Sequence, residues 1–244
     1  MAASGRDARP ALVLIPGHLC DETLYAPQAA AFADRVEIVY ADTRADRDLG
    51  AMAERLLARA PERFAIAGLS MGGMIAMEVL ARAPERVLGA ALLDTDPTPA
   101  RDKEKVWRAQ MRETVRAQGL AGYVEPFVAS FFRHSETAAA RHAESVRETM
   151  LAAGEAVFEA QSDALDTRRD LRDVVARYPG PLAVLCGAED RVCPPRLHEP
   201  LGLAANAELT LIPDCGHLAT LEAPGAVNAA FDRWLGRWLD RRPR

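Results

Sequence analysis

The chain has 244 residues, 49% of them hydrophobic and 27% charged, with a formal net charge of −5. That length supports one large core, or one core carrying an inserted subdomain. The charges are dispersed and no apolar run approaches the roughly 18 residues of a membrane span, so neither nucleic acid nor a bilayer is expected as a partner. Residues 1–10 read as a short tail without the cationic region, apolar stretch and cleavage site of a signal peptide, and a cytoplasmic location is expected.

From residue 11 the pattern alternates. Runs rich in Val, Ile and Leu at 11–17 ("ALVLIPG"), 36–42 ("VEIVYAD"), 64–70 ("FAIAGLS"), 87–94 ("VLGAALLD"), 181–187 ("PLAVLCG") and 208–214 ("ELTLIPD") predict parallel strands buried on both faces. Helical spacing predicts helices at 48–59 with Asp48 as N-cap, at 71–82, at 196–205, and at 224–239 with Pro224 in the first turn. The alternation implies an α/β fold with a mostly parallel sheet of about six strands flanked by helices and joined by right-handed crossovers. One interval breaks it. Residues 97–178 hold only helical periodicity, and "DTDPTP" and "YPGP" bracket them with the punctuation of a chain leaving and re-entering a sheet. The expected organisation is a core of residues 11–96 and 179–244 with a helical insertion at 97–178. Cys20, Cys186, Cys193 and Cys215 form no CxxC pair and match no zinc spacing, so buried or free thiols are expected and no metal.

The string "GLSMGG" places Ser70 between a predicted strand and a predicted helix, the setting of a nucleophile elbow. Side chains at Gly68 and Gly72 would collide with the adjoining elements of so tight a turn. A serine hydroxyl needs a base within hydrogen-bond reach and a third group to orient that base. His217, in "DCGHLATLEAP", follows the last predicted strand and lies at the same sheet end as Ser70, which makes it the candidate base. His134 and His142 fall in the insertion among charged neighbours and His198 on a predicted helix, all three read as solvated. Asp190, on the loop after the strand at 181–187, is the candidate acid. Glu189 beside it and Asp94 after the strand at 87–94 are alternatives, and Asp214 is read as loop support.

These residues resemble the α/β-hydrolase fold family over nearly the whole chain, Ala11 to Leu239. "LIPGHL", "GLSMGG", "GAEDRVCPP" and "CGHLATLEAP" match in order its oxyanion segment, elbow, acid loop and histidine loop. The resemblance implies backbone N–H donors from His18 and Met71, with Gly17 allowing close approach, and makes the insertion the family's helical cap. Where many members carry His-Gly, this chain has Pro16-Gly17 followed by His18. Ten residues before Ala11 are too few for the extra hairpin of the eight-stranded form, so a trimmed sheet is expected. The implied activity is hydrolysis of small to medium carboxylic esters through an acyl-enzyme, without a cofactor. "GLSMGGMIA" is also similar to enol-lactonases, so a lactone is an alternative; cofactor-free perhydrolases, acyltransferases and noncatalytic ligand receptors are others on the same fold. Leu19, Trp107, Tyr123, Phe127, Phe131, Phe132, Met150 and Phe158 are candidates for a substrate pocket, with "FVASFFRH" its principal lining. A monomer or homodimer is expected, with Trp234 and Trp238 on one face of the last helix packed inward.

Overall fold

Each of the six apolar runs forms a strand in the computed structural model, which describes residues 9–132 and 136–239. His134 and all but two residues of the expected tail lie outside the described residues. In chain order the elements are β1 (Ala11–Ile15), α1 (Ala26–Phe32), β2 (Glu37–Tyr40), α2 (Leu49–Arg59), β3 (Phe64–Leu69), α3 (Met71–Arg82) and β4 (Val87–Leu93). Then come α4 (Asp102–Gln118), α5 (Ala121–Phe131), α6 (Glu136–Ala153), α7 (Glu155–Asp166) and α8 (Arg172–Arg177). The chain closes with β5 (Leu182–Gly187), α9 (Glu199–Gly202), β6 (Ala207–Ile212), α10 (Ala219–Glu222) and α11 (Pro224–Leu239).

The sheet is parallel throughout, in the order β2-β1-β3-β4-β5-β6. Its last registered pairs, Ile15 with Gly68, Leu69 with Leu93, and Gly187 with Ile212, bring the carboxyl ends level. Loops leaving β1, β3, β4, β5 and β6 therefore emerge at one edge. The chain runs outward from β1 to β2 and then returns to β3, so β1 and β3 flank the switch point where a cleft forms in sheets of this kind.

Alternation along each strand sorts the core into two layers. Leu12 and Leu14 of β1 join Ala65, Ala67 and Leu69 of β3 in a cluster with α11 and the helices between β4 and β5. Val13, Ile15, Phe64 and Ile66 face the opposite way, onto α2 and α3. Edge position explains a departure from two-sided burial: β2 and β6 each have a free flank and are mostly half-exposed. Asp48 caps α2 by accepting the Ala51 N–H at 2.9 Å. Trp234 and Trp238 are both buried and pack edge to face, and the Trp234 indole donates to the Pro181 carbonyl at 3.1 Å. The predicted helix at 196–205 is shorter than the pattern implies. A 3-10 turn at Pro195–Leu197 precedes the four residues of α9, because Pro195 and Pro200 lack the amides that a continuous helix needs.

The helices α4 to α8 fill the interval between β4 and β5. Its two ends are tied together: the Leu171 N–H donates to Pro97 O at 2.9 Å and the Ala100 N–H to Arg168 O at 3.2 Å. Beside these bonds Arg101 and Arg168 interleave with Asp96 and Glu104. Asp96 and Arg168 are almost wholly enclosed, so their pairing keeps buried charge from standing alone.

Candidate active site

Ser70 sits between β3 and α3 with φ 56° and ψ −119°, a conformation sparsely populated by any residue with a Cβ. The surroundings hold it there. Its N–H donates to Leu93 O at 2.9 Å, and its carbonyl accepts from the Thr95 hydroxyl at 2.7 Å and from the Gly73 N–H at 3.0 Å. A Cβ at Gly68 would fall 2.2 Å from Gly72 O, and one at Gly72 would fall 2.1 Å from Ile15 O. The helix thus starts hard against the ends of β1 and β3, and only glycine fits. Gly17 is different: a Cβ there would meet nothing closer than 3.5 Å, so close approach does not require glycine at that position.

His217 reaches Ser70 from β6 across the end of β5. The Cys215–Gly216 backbone passes so close over Gly187 that a Cβ on Gly187 would lie 2.0 Å from Gly216 O. Glu222 fastens the loop, its two carboxylate oxygens accepting from Gly216 N–H at 3.0 Å and Leu218 N–H at 2.9 Å. The His217 amide donates to Phe131 O at 3.2 Å, and the two rings stack with centroids 5.3 Å apart. So fixed, the imidazole spans two partners. Nδ1 donates to Asp190 Oδ2 at 2.9 Å, which leaves Nε2 to accept the Ser70 hydroxyl at 3.0 Å. Asp190 Oδ1 accepts from the Val192 and Cys193 amides at 2.8 and 3.0 Å. Burial opposes the Asp190 carboxylate, but the facing His217 ring and these two amides outweigh it and lower its pKa.

The carboxylate aimed at His217 Nδ1 is thus that of Asp190. Asp94 is fully buried and accepts from the Gly187 N–H through Oδ1 at 2.8 Å. Burial, reinforced by the Asp190 charge, pushes its pKa well above the usual carboxylate range. Glu189 is half-buried and Asp214 is an exposed turn residue with φ 51°. Asp94, Cys186 and Asp190 hold ligand-capable atoms within 4.8 Å of one another. Both Asp190 oxygens are already engaged with His217 and with the Val192 and Cys193 amides, and burial raises the pKa of both the Asp94 carboxyl and the Cys186 thiol, which disfavours the charged forms that would ligate a cation.

A turn follows β1. Cys20 N–H donates to Gly17 O at 3.1 Å, and Leu19 has φ 56°. Among the described residues neither the His18 N–H nor the Met71 N–H donates to a protein acceptor, and both residues border the cavity at Ser70. The Met71 amide opens α3, where no preceding carbonyl is in position to accept it and the helix dipole favours negative charge.

The cavity measures about 350 Å³ and is walled by Trp107, Tyr123, Phe127 and Phe131 from α4 and α5, with Leu69, Met74 and Val192 from the core. Lys103, Arg108 and Arg168 border it as well. Of the other pocket candidates, Leu19 and Phe158 are buried in the core cluster, Met150 likewise, and Phe132 borders a separate groove with Val128 and Ala143. Phe132 follows Phe131 by one residue, so a helix end sends the two rings in different directions. The His18 ring lies edge-on to Tyr123 at 5.9 Å, and burial together with Arg108 lowers its pKa to about 4.

His198 overturns an expectation. It is not solvated but wholly buried, and its Nε2 accepts the Thr95 N–H at 2.7 Å, bracing the residue that holds the Ser70 carbonyl. Burial lowers its pKa from 6.5 to about 4. The folded chain therefore keeps this ring neutral where an unfolded chain would protonate it. Its contribution is complete above pH 6.5 and is lost as the pH falls toward 4, about 3 kcal/mol in all at 1.36 kcal/mol per unit. His198→Gln, which retains an acceptor for Thr95, is expected to show a shallower fall of Tm between pH 6.5 and 4 in differential scanning fluorimetry. His142 is half-buried on α6, far from this line of groups in the chain; Thr95 and His198 enter the site without a motif of their own, whereas Glu222 lies within the histidine loop "CGHLATLEAP".

A level parallel edge carrying a strained serine, a histidine and an enclosed carboxylate in one hydrogen-bonded line is the arrangement of an α/β-fold hydrolase. The chain belongs to the alpha/beta hydrolase family, whose model matches residues 8–230. Comparison with curated proteins gives no match. Among solved structures it is similar to an esterase from Thermogutta terrifontis with malate bound, at 24% identity over 95% of this chain and 91% of that one, TM-score 0.80. It is similar also to the enol-lactonase of Burkholderia xenovorans LB400, at 20% identity over 96% and 94%, TM-score 0.84. A carboxylesterase structure from Nitrososphaera gargenis aligns at 18% identity over 98% and 94%, TM-score 0.82. At these identities the likeness is one of fold. Among the described residues no helix is long and apolar enough to cross a membrane.

Proposed function

We propose that the protein is a serine hydrolase of small to medium carboxylic esters, working through an acyl-enzyme. The observation that carries this reading is the unbroken line Ser70 Oγ, His217 and Asp190, with its two contacts of 3.0 and 2.9 Å beside an aromatic cavity. His217 Nε2 takes the Ser70 proton as Oγ attacks the ester carbonyl carbon, then gives it to the leaving alcohol. Asp190 keeps the proton of the resting ring on Nδ1 and stabilises the imidazolium that forms. The His18 and Met71 amides receive the developing oxyanion, where one such donor is commonly worth about 3 to 4 kcal/mol. Water, activated by the same histidine, then releases the acid. No cofactor is needed for these steps.

In this reading residues 97–178 act as a cap, with α4 and α5 covering the acyl or alcohol group. The buried, unpaired thiols of Cys20, Cys186, Cys193 and Cys215 fit a reducing, cytoplasmic setting. A lactone is the second reading, supported by the fold likeness to an enol-lactonase and by the elbow wording: the same groups open a cyclic ester, and the leaving alcohol stays tethered to the acyl group. A fluorophosphonate probe is expected to label Ser70, located by peptide mass spectrometry; absence of labelling in folded protein would count against the assignment. A panel of p-nitrophenyl esters of increasing acyl length with five- and six-membered lactones then separates the two readings, since the preferred class should differ by at least about tenfold in kcat/KM.

A further inference from the structure

We propose that Gln161, on α7, is a positioning residue that locks the oxyanion turn in its donor geometry, an inference that rests on the hydrolase reading above. Gln161 is fully buried and each end of its amide is committed. Oε1 accepts the Leu19 N–H at 2.8 Å, while Nε2 donates to Thr43 O at 3.1 Å and Thr43 Oγ1 at 3.3 Å. Thr43 is itself buried on the loop that follows β2, so the side chain is anchored from outside the insertion as well as from α7.

The turn it grips needs holding. Gly17 to Cys20 close a hydrogen-bonded turn in which Leu19, at the third position, takes φ 56° while His18 keeps a negative φ. That is the type II arrangement, whose third position favours glycine. A leucine there is strained, and flipping the His18–Leu19 peptide would carry it to an ordinary type I turn with φ near −90°. The flip reverses the direction of the Leu19 N–H. Gln161 Oε1 accepts that N–H only in the strained orientation, so it biases the turn against the relaxed one. The peptide it fixes directly follows the His18 amide, the donor assigned to the oxyanion. A flipped peptide would reverse a dipole beside the developing charge and loosen the plane that carries the donor. Leu19 cannot make the bond redundant, since no other acceptor for its N–H occurs among the described residues.

The arrangement also shows what the insertion contributes to the chemistry. Through Gln161 it fixes the turn after β1, and through Phe131 it fixes the loop of His217, so two parts of the site that β1 and β6 supply separately are held from the same group of helices.

The test uses the full chain with p-nitrophenyl butyrate. Gln161→Met, of nearly equal volume and without the amide, is expected to lower kcat by about 10- to 100-fold with KM within threefold, as befits a group acting on the transition state through another. Inhibition by phenylboronic acid, whose tetrahedral adduct on Ser70 fills the oxyanion position, should weaken in parallel with kcat/KM. Gln161→Glu, which keeps an oxygen for the Leu19 amide, should recover at least threefold of the loss. Asp163→Asn, which cuts the ion pairs from α7 to Arg47 and Arg112 without touching the turn, reports a purely structural effect: Tm falls and kcat stays within twofold. If Q161M does not fold, Gln161→Asn, too short to reach Leu19, carries the same comparison. A folded Gln161 variant with kcat within threefold of the wild type, or an equal loss of kcat in D163N, overturns the proposal. A wild type without Ser70-dependent hydrolysis overturns the hydrolase reading and this one with it, and is recognisable because no variant then enters the comparison.

Discussion

Ser70→Ala is expected to lower kcat/KM for an activated short-chain ester by at least about 10³-fold while leaving Tm within a few degrees of the wild type. The two halves of this result have different origins. The hydroxyl is the only atom group lost, and its one side-chain partner among the described residues is His217 Nε2, which lines the cavity and can turn to water instead. The strained backbone is unchanged, since alanine at φ 56° meets the same steric penalty as serine, and the contacts to Leu93, Thr95 and Gly73 are made by main-chain atoms. Stability should therefore hardly move. Activity should collapse, because the oxyanion donors and the cavity that remain can only assist a slow attack by water. A variant retaining hydrolysis within tenfold of the wild type, measured with p-nitrophenyl acetate after active-site titration to exclude contamination, would remove Ser70 from the nucleophile's role.

The elbow was the most legible part of this molecule because everything that specifies it is local. A buried strand, two glycines at fixed offsets and an apolar helix lie within residues 64–82, and the close approaches of Gly68 and Gly72 are to their own turn and to the end of the neighbouring strand. The strands were legible for the same reason, except at the edges, where β2 and β6 carry apolar runs without the two-sided burial those runs suggest. The acid was harder. Asp94, Glu189 and Asp190 all follow strands at the same sheet edge, and nothing in their sequence says which one the histidine loop will meet. The choice depends on Cys215 and Gly216 passing over Gly187, a contact between segments that are far apart in the chain. Gln161 and His198 were illegible for the same physical reason. Their partners are backbone amides 142 and 103 residues away, and a backbone amide has no sequence signature. A glutamine at helical spacing from Val157, Phe158, Ala164 and Leu165 was the one available signal, since an amide on a face that packs inward must find partners.

The second large effect separates two buried aspartates. Asp190→Asn is expected to lower kcat by about 10³- to 10⁴-fold, whereas Asp94→Asn should stay within about threefold of the wild type. An asparagine at 190 offers the Val192 and Cys193 amides an oxygen only by presenting its NH₂ to His217 Nδ1, which favours the wrong tautomer and leaves Nε2 unable to accept the Ser70 proton. It also removes the charge that stabilises the imidazolium. Asp94 stands in the opposite position. Its pKa is pushed well above the carboxylate range by burial and by the Asp190 charge, both of which favour the uncharged acid, and asparagine imitates that form while keeping an oxygen for the Gly187 N–H. The sign of the stability change follows. A group whose folded-state pKa is raised stabilises fully only below its unfolded value of 3.8, and its contribution is lost as the pH climbs through the folded value. Removing that titration should make D94N more stable relative to the wild type at pH 8 than at pH 4, readable as a Tm difference that grows with pH. Loss of activity in D94N comparable to that in D190N would make Asp94 a working member of the site and would break the assignment of Asp190 as the sole orienting acid.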